Sequence, residues 1–443
     1  MFYIMIAVFV LGYVCIALEH PLRVNKAAFA LLLGVTLWTL FACINPASLP
    51  SYSDAAEYLR ANPDSSFLGW LTHNALIKHL GEIAEILFFL LGAMTIVELV
   101  DTHGGFGIIT SRIRATKKVP LLWLVSVITF VMSAVLDNLT TSIVMIALMR
   151  KLIDNKQDRW MFGGMIIIAA NSGGAWSPIG DITTIMLWIA GKVSTLNIIS
   201  GVILPSLVSL IVPLVILSFM MKGSVERPRK EDNQEHIQLK IWERNFIFFM
   251  GVGFLLFVPV FKTVTHLPPY LGILGGLSVL WITTEILHRN RSTFEQGQLS
   301  VTAILRRVDT SSILFFLGIL VAVAALQSCG QLMMLSRSLE NIPIEGTGKY
   351  DLIAVILGAL SSIVDNVPLV AGAMGMYDFP MDHRFWEFIA YTAGTGGSML
   401  IIGSAAGVAV MGMEKIDFIW YLKRITPLAL AGYIAGCAVY MFF

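Results

Sequence analysis

The chain has 443 residues, of which 56% are hydrophobic and only 13% charged, and its formal net charge is +1. A soluble domain carries roughly 25% charged residues, so the composition excludes an ordinary water-soluble protein and describes a polytopic membrane protein. The near-zero charge and the lack of a long Lys/Arg run also exclude a nucleic-acid binder.

In chain order, Met1 to Glu19 is apolar from its first residues, without a basic leader or a small-residue cleavage pattern, and reads as a retained span. A crossing needs about 20 mostly apolar residues. Ten stretches meet that rule: 2–18, 26–44, 81–101, 161–190 and 197–221 in the first half, and 245–262, 269–287, 309–329, 386–413 and 425–443 in the second. Two more apolar segments, 119–149 and 351–377, are interrupted in their middles by polar residues. Cys15, Cys43, Cys329 and Cys437 form no CxxC pair, and the histidines show no HxxxH spacing, so the cysteines read as small core residues with no disulfide framework or zinc site.

Basic residues fix the direction. With both termini outside and each interrupted segment returning to its own side, twenty-three of the 30 Lys and Arg residues fall inside. Segment 119–149 has four basic residues on each flank, and a full crossing would strand one cluster outside. A re-entrant hairpin avoids this. Its first arm of about 14 residues rises roughly 21 Å, enough to reach mid-membrane, with the tip at Ser133 to Asn138. A straight helix with a polar belt is the alternative.

The halves repeat. ILFFL at 86–90 recurs at 313–317, an offset of 227; SAVLDN at 133–138 recurs as SSIVDN at 361–366, an offset of 228; and ANSGG at 170–174 followed by Gly180 recurs as AGTGG at 393–397 followed by Gly403, an offset of 223. Each half has five crossings, an odd number, so the second copy is inverted. The expected fold is therefore an all-α integral membrane protein of about ten transmembrane helices plus two re-entrant hairpins, in two inverted repeats with discontinuous helices, as in secondary transporters. The first repeat spans 1–221, with hairpin 119–149 and broken helix 161–190. Residues 222–244 form a charged cytoplasmic linker, and 245–443 the second repeat, with hairpin 351–377 and broken helix 386–413.

Non-helical backbone is tolerated in a membrane only where it lines a cavity or is buried in protein. Gly173, Gly174, Pro178 and Gly180 predict an unwound stretch, as do Gly396, Gly397 and Gly403. Oxygen side chains gather there: Asn171, Ser177, Asp181, Thr183 and Thr184 in one half, and Thr395, Ser398 and Ser404 in the other. The hairpin tips add Ser133, Asp137, Asn138, Ser361, Asp365 and Asn366. An oxygen-only set suits an alkali cation. Every Lys and Arg lies in a loop or at a span end, so the mid-depth aspartates are held neutral or are charged only beside a bound cation. Proton and metal cation then compete for one carboxylate, which suffices for coupled exchange. The structural alternative is that the Asp and Asn side chains only tie the hairpin tips. Glu82 and Glu85, with Asp309 in the repeat position of Glu82, are candidates for a proton path, and His103 near Glu98 and Asp101 is a candidate for pH sensing.

The runs SAVLDNLTTS (133–142), NSGGAWSPIGDITT (171–184), ILFFLLGAMTIVELVDTHGGF (86–106) and SSIVDNVPL (361–369) resemble the NhaD-type Na+/H+ antiporters of the ion transporter superfamily. The resemblance covers nearly the whole chain. It implies an elevator-like fold, a homodimer, no cofactor and no catalytic residues, and export of Na+ or Li+ in exchange for H+ across a bacterial inner membrane. By matching position it implies cation-site roles for Ser133, Asp137, Asn138, Asn171, Asp181, Thr183, Thr184, Ser361 and Asn366, with Asp365 beside them. The serine pair expected after the second glycine-rich break matches loosely, at Ser398 and Ser404. A Na+-coupled symporter of an anion such as a dicarboxylate is the alternative on the same fold, but two aspartates at the site would repel an anion. An intramembrane aspartyl protease, suggested by Gly180-Asp181, lacks the second motif that a proton-sharing pair requires.

Overall fold

The computed structural model describes residues 2–17, 22–46, 49–50, 53–62, 66–110, 115–226, 239–289, 291–340, 347–363 and 366–442. Among these the chain is helical, with a single isolated bridge between Lys117 and Ser224. The helices that frame its centre are α1 (Phe2–Ala17), α2 (Lys26–Ala42), α3 (Leu76–Thr102), α4 (Lys118–Leu136), α5 (Asn138–Leu152), α6 (Lys156–Ala175), α7 (Ile182–Ile189) and α8 (Thr195–Met220) in the first half. The second half supplies α9 (Ile241–Thr265), α10 (Pro269–His288), α11 (Thr310–Ser328), α12 (Thr347–Leu360), α13 (Asn366–Met376), α14 (Arg384–Gly396), α15 (Ala405–Glu414) and α16 (Thr426–Phe442). They sort into two groups. In one, α1, α2 and α11 pack in a row while α9, α10 and α3 pack together; in the other, α4, α5, α8, α14 and α15 surround α6, with α12 and α16 against α14. The groups meet where α11 touches α13, α3 touches α7, and α9 touches α4.

Each interrupted segment doubles back. Lys118 at the start of α4 pairs with Asp158 at the start of α6 at 2.8 Å. Arg150 at the end of α5 pairs with Glu414 at 2.6 Å, and Glu414 also holds Arg159 of α6 at 2.9 Å. Both ends of the α4–α5 segment therefore sit at one end of α6, and between them it turns at Asp137. The α12–α13 segment does the same at the opposite end of the molecule. There Tyr350 at the start of α12 packs on Tyr377 just beyond α13, with ring centroids 5.9 Å apart, and both rings meet Phe385 of α14.

Small residues let the hairpins cross the long helices closely. A Cβ on Gly173 would stand 2.2 Å from the Phe130 carbonyl oxygen, and one on Gly396 would stand 2.0 Å from that of Gly358. Phe130 and Gly358 are related by the 228-residue offset of the hairpin motifs, and Gly173 and Gly396 by the 223-residue offset of the glycine motifs.

Among the described residues six helices are long and apolar enough to cross a membrane, or seven if the pair Phe418–Arg424 and Thr426–Phe442, bent by 48°, is one span. This differs from the count of about ten, partly because some of the expected spans are short or broken helices. α1 and α2 have 16 and 17 residues, and stretches 161–190 and 386–413 are each two helices with a break at 176–181 and 397–404. The stretch read as 81–101 is the far part of one helical run, Phe67–Thr102, with a π-helical turn at Leu71–Ala75. The first hairpin arm has 19 residues rather than about 14, because helical geometry persists through Ser133 until Asp137. Gly173 and Gly174 stay helical; close approach explains them, and the unwinding starts at Trp176. Of the cysteines, Cys329 and Cys437 are buried, but Cys43 is exposed and Cys15 intermediate, so only two are core residues. Residues 227–238 of the expected linker and Asp365 lie outside the described residues.

Gly173→Ala is expected to destabilise the fold by about 1–3 kcal/mol through overpacking against a backbone carbonyl. Gly253→Ala, on an open face of α9 with nothing within 4 Å, should be neutral or slightly stabilising. Melting temperatures of the two variants in detergent, compared with the parent, check this, and equal values would contradict the crossing geometry.

Candidate functional site

The centre is built on a helix start. Asp181 is the N-cap of α7 and is 1% exposed. Its Oδ1 accepts from the Thr183 amide at 2.9 Å and from Thr183 Oγ1 at 3.0 Å. These orphan N–H groups, with the positive end of the helix dipole, favour a carboxylate. Both hairpin tips reach the same carboxylate. Asn138, the first residue of α5, donates from Nδ2 to Asp181 Oδ2 at 2.9 Å, and Asn366, the first residue of α13, donates from Nδ2 to both oxygens at 3.4 Å. Each of these donors is uncharged.

Asn171 on α6 extends the network into the second half. Its Oδ1 accepts from Asn138 Nδ2 at 3.1 Å, and its Nδ2 donates to Ser398 Oγ at 2.9 Å and Ser404 Oγ at 3.0 Å. Ser404 is the N-cap of α15, its hydroxyl accepting from the Gly407 amide at 3.2 Å. It stands 223 residues after Asp181, in the same capping position at the start of a broken helix's second piece. The acid is thus used once. By the same offset Gly394 corresponds to Asn171, and a Cβ there would lie 3.7 Å from Asp181 Oδ2.

Asp137 occupies the α4–α5 break with φ 78° and ψ 161°, a region that residues with a Cβ rarely adopt. Its carboxylate caps α5, accepting from the Thr140 amide at 2.7 Å and from Thr140 Oγ1 at 2.9 Å. It also lines a small gap against Phe89, Leu90 and Met94 of α3, at the face between the two helix groups.

Not every residue read from the sequence faces this cluster. Ser133 Oγ donates to the Ala170 carbonyl at 2.5 Å, and Ser361 Oγ to those of Ala393 at 2.9 Å and Gly358 at 2.7 Å, so both serines tie hairpin tips to the long helices. Thr184 is spent on a capping box, its Oγ1 donating to the Asp181 carbonyl at 2.8 Å and accepting from the Asp181 amide at 3.3 Å. Thr395 Oγ1 donates back along its own helix to the Tyr391 carbonyl at 2.6 Å. Asp309 caps α11, accepting from the Ser312 amide at 3.1 Å.

The remaining candidates lie elsewhere. Glu82 and Glu85 line a cavity of about 530 Å³ between α3, α7, α11 and α13, together with Asp54, His79, Lys192 and Asp378. Glu82 pairs with His79 at 3.4 Å. His103 donates from Nδ1 to the Leu99 carbonyl at 2.7 Å, and its Nε2 lies 3.0 Å from His288 Nε2, a partner on α10 the sequence did not suggest. Thr140 was also missed, although an Asp three residues before a Thr is an N-cap spacing. Lys192, Asp378 and Asp54 carried no periodic signal, since loops and separate helices bring them together.

A family model described as a citrate transporter matches residues 13–387. The sodium/proton antiporter 1 of Arabidopsis thaliana is 46% identical over 443 residues, covering 99% of this chain and 72% of that protein. The sodium/proton antiporter 2 of the same plant is 42% identical, covering 99% and 98%. The Na(+)/H(+) antiporter NhaD of Alkalimonas amylolytica is 30% identical over 469 residues, covering 99% and 90%.

Proposed function

The chain belongs to the NhaD-type sodium/proton antiporters, multi-pass membrane proteins, and on that premise we propose that it exchanges Na+, and Li+ with it, for H+ at the cluster centred on Asp181. The observation that carries this reading is a buried carboxylate on which both hairpin tips and the start of α7 converge. In a water-poor centre a mobile cation, or a proton, stabilises such a carboxylate strongly.

The asparagines suit the exchange because a side-chain amide presents a donor or an acceptor according to its rotation. In the arrangement here Asn138 and Asn366 turn N–H groups toward Asp181. When a cation sits on the carboxylate, the same side chains turn their oxygens to it; when a proton sits there, the acid donates to one of those oxygens. Cation and proton thus call for the same neighbours and exclude each other. Asp137, at the face between the helix groups, is the second carboxylate of the path, and Asp365, its counterpart in sequence at an offset of 228, is assigned the same role. Glu82 and Glu85 lead to it from the cavity, and the His103–His288 pair reads pH at the far end.

We further propose that residues 1–221 and 245–443 are inverted repeats joined by the linker 222–244. The group built around α6 and α14, with both re-entrant hairpins, moves as one body against the group of α1, α2, α3, α9, α10 and α11. The pairs Ser133–Ala170 and Ser361–Ala393, and the matched caps Asp181 and Ser404, support the repeat. The end rich in Lys and Arg faces the cytoplasm, the termini lie outside, the membrane in a bacterial host is the inner one, and the protein works as a homodimer. A symporter of an anionic substrate would have to bring its carboxylates against Asp181 and Asp137, which opposes it.

In everted vesicles at alkaline pH, adding Na+ or Li+ should release protons, and Asp181→Asn or Asp137→Asn should cut the exchange by at least about tenfold, the cost of one lost charge contact. Full exchange in either variant contradicts the assignment. Thr183→Val should raise the Na+ needed for half-maximal exchange by about 3–10-fold, the worth of one hydrogen bond. Thr184→Val should leave that value unchanged while costing about 1 kcal/mol of stability through the lost cap.

A further inference from the structure

The short helix α7 is gripped at both ends. Asp181 caps its N-terminus, and at its last turn the carbonyl of Trp188 accepts a hydrogen bond from Lys262 Nζ. The same ammonium lies over the Trp188 ring, 4.2 Å from its centroid, and Trp188 is 2% exposed. Lys262 comes from the last turn of α9, in the other helix group. A lysine at a span end ordinarily extends its head to water. Here the head turns inward onto a carbonyl at a helix C-terminus, where the dipole is negative, and onto an aromatic face, three favourable contacts for one cation.

We propose that Lys262 is a positioning residue that latches α7 to α9 in the conformation described here, and that the latch opens and closes once in each exchange cycle. The inference rests on the reading that α7 travels with the body around α6 and α14. A hydrogen bond and a ring contact of this kind span only a few ångströms, so they do not survive a displacement of α7 along α9. Glu85 on α3 interacts electrostatically with Lys262 and lines the cavity beside Ile189 and Ala190 of α7's end. It is the partner to which the released ammonium turns. The half-helix whose N-terminus carries Asp181 is thereby held at its other end by a residue that never touches the transported ion.

The test uses the full-length protein with its four cysteines replaced and Ala371→Cys introduced into the cavity wall on α13. Labelling by a membrane-impermeant maleimide from the cavity side reports how often this conformation is occupied. Lys262→Met should lower its population ratio by about tenfold, the worth of one charged hydrogen bond. Labelling then slows by about twofold to tenfold, while Lys262→Arg, which keeps the charge and the donor, stays within about twofold of the parent. Placing Asp181→Asn in each background separates the two readings: loss of exchange there leaves the dependence of labelling on Lys262 intact. Should the exchange reading itself fail, slower labelling in Lys262→Met still supports the latch. Labelling of Lys262→Met at the parental rate, with the protein monodisperse and folded, overturns it.

Discussion

A carboxylate in a water-poor protein centre must find hydrogen-bond donors and a balancing positive charge, or it will not stay charged. At Asp181 donors come from a helix N-terminus and from two asparagines on separate hairpins. That constraint governs the surrounding architecture. A helix start can reach the middle of a bundle only if a longer helix is broken there, and the freed backbone groups must be buried in protein. The break at 176–181 supplies the start, and the second break at 397–404 supplies the matching Ser404 cap.

The hairpins answer the same need. Each brings a helix N-terminus and an asparagine to the centre, then returns to its own end, where Glu414 with two arginines or a cluster of aromatic rings fastens it. Glycine at 173 and 396 allows the backbones to cross at a separation no side chain would permit, and Ser133 and Ser361 tie the crossing points. At the starts of the two broken helices' second pieces an acid caps α7 and a hydroxyl caps α15, so at these caps charge is placed once and not twice.

Much of this was legible in the chain. The S-x-x-x-D-N motif at 133–138 marks the turn between α4 and α5, where Asp137 breaks the helix and caps the next one. Basic residues on both flanks of 119–149 indicated a segment that doubles back, and the ion pairs of Lys118 and Arg150 lie where that requires. What the chain could not disclose is the direction of each hydroxyl. Thr183 and Thr184 are neighbours in sequence, yet one faces the carboxylate and the other closes a capping box; Thr395 turns back on its own helix. The Gly and Pro residues of 161–190 and the Gly residues of 386–413 announced broken helices, but the length of the first hairpin arm was underestimated, because helical geometry runs on through Ser133 to Leu136. The His103–His288 contact and the cavity around Glu82 and Glu85 join residues far apart in the chain, and no local pattern encodes them.

If one buried carboxylate serves proton and cation in turn, a Na+ ion arriving at it displaces a proton. That displacement is tested most directly by proton release from the purified protein in lightly buffered detergent solution when Na+ is added, without any membrane or gradient. Na+ addition should give a saturable release of protons that Asp181→Asn abolishes and K+ in equal amount does not reproduce in full. Saturable Na+ binding without proton release, or release that persists undiminished in Asp181→Asn, would contradict it.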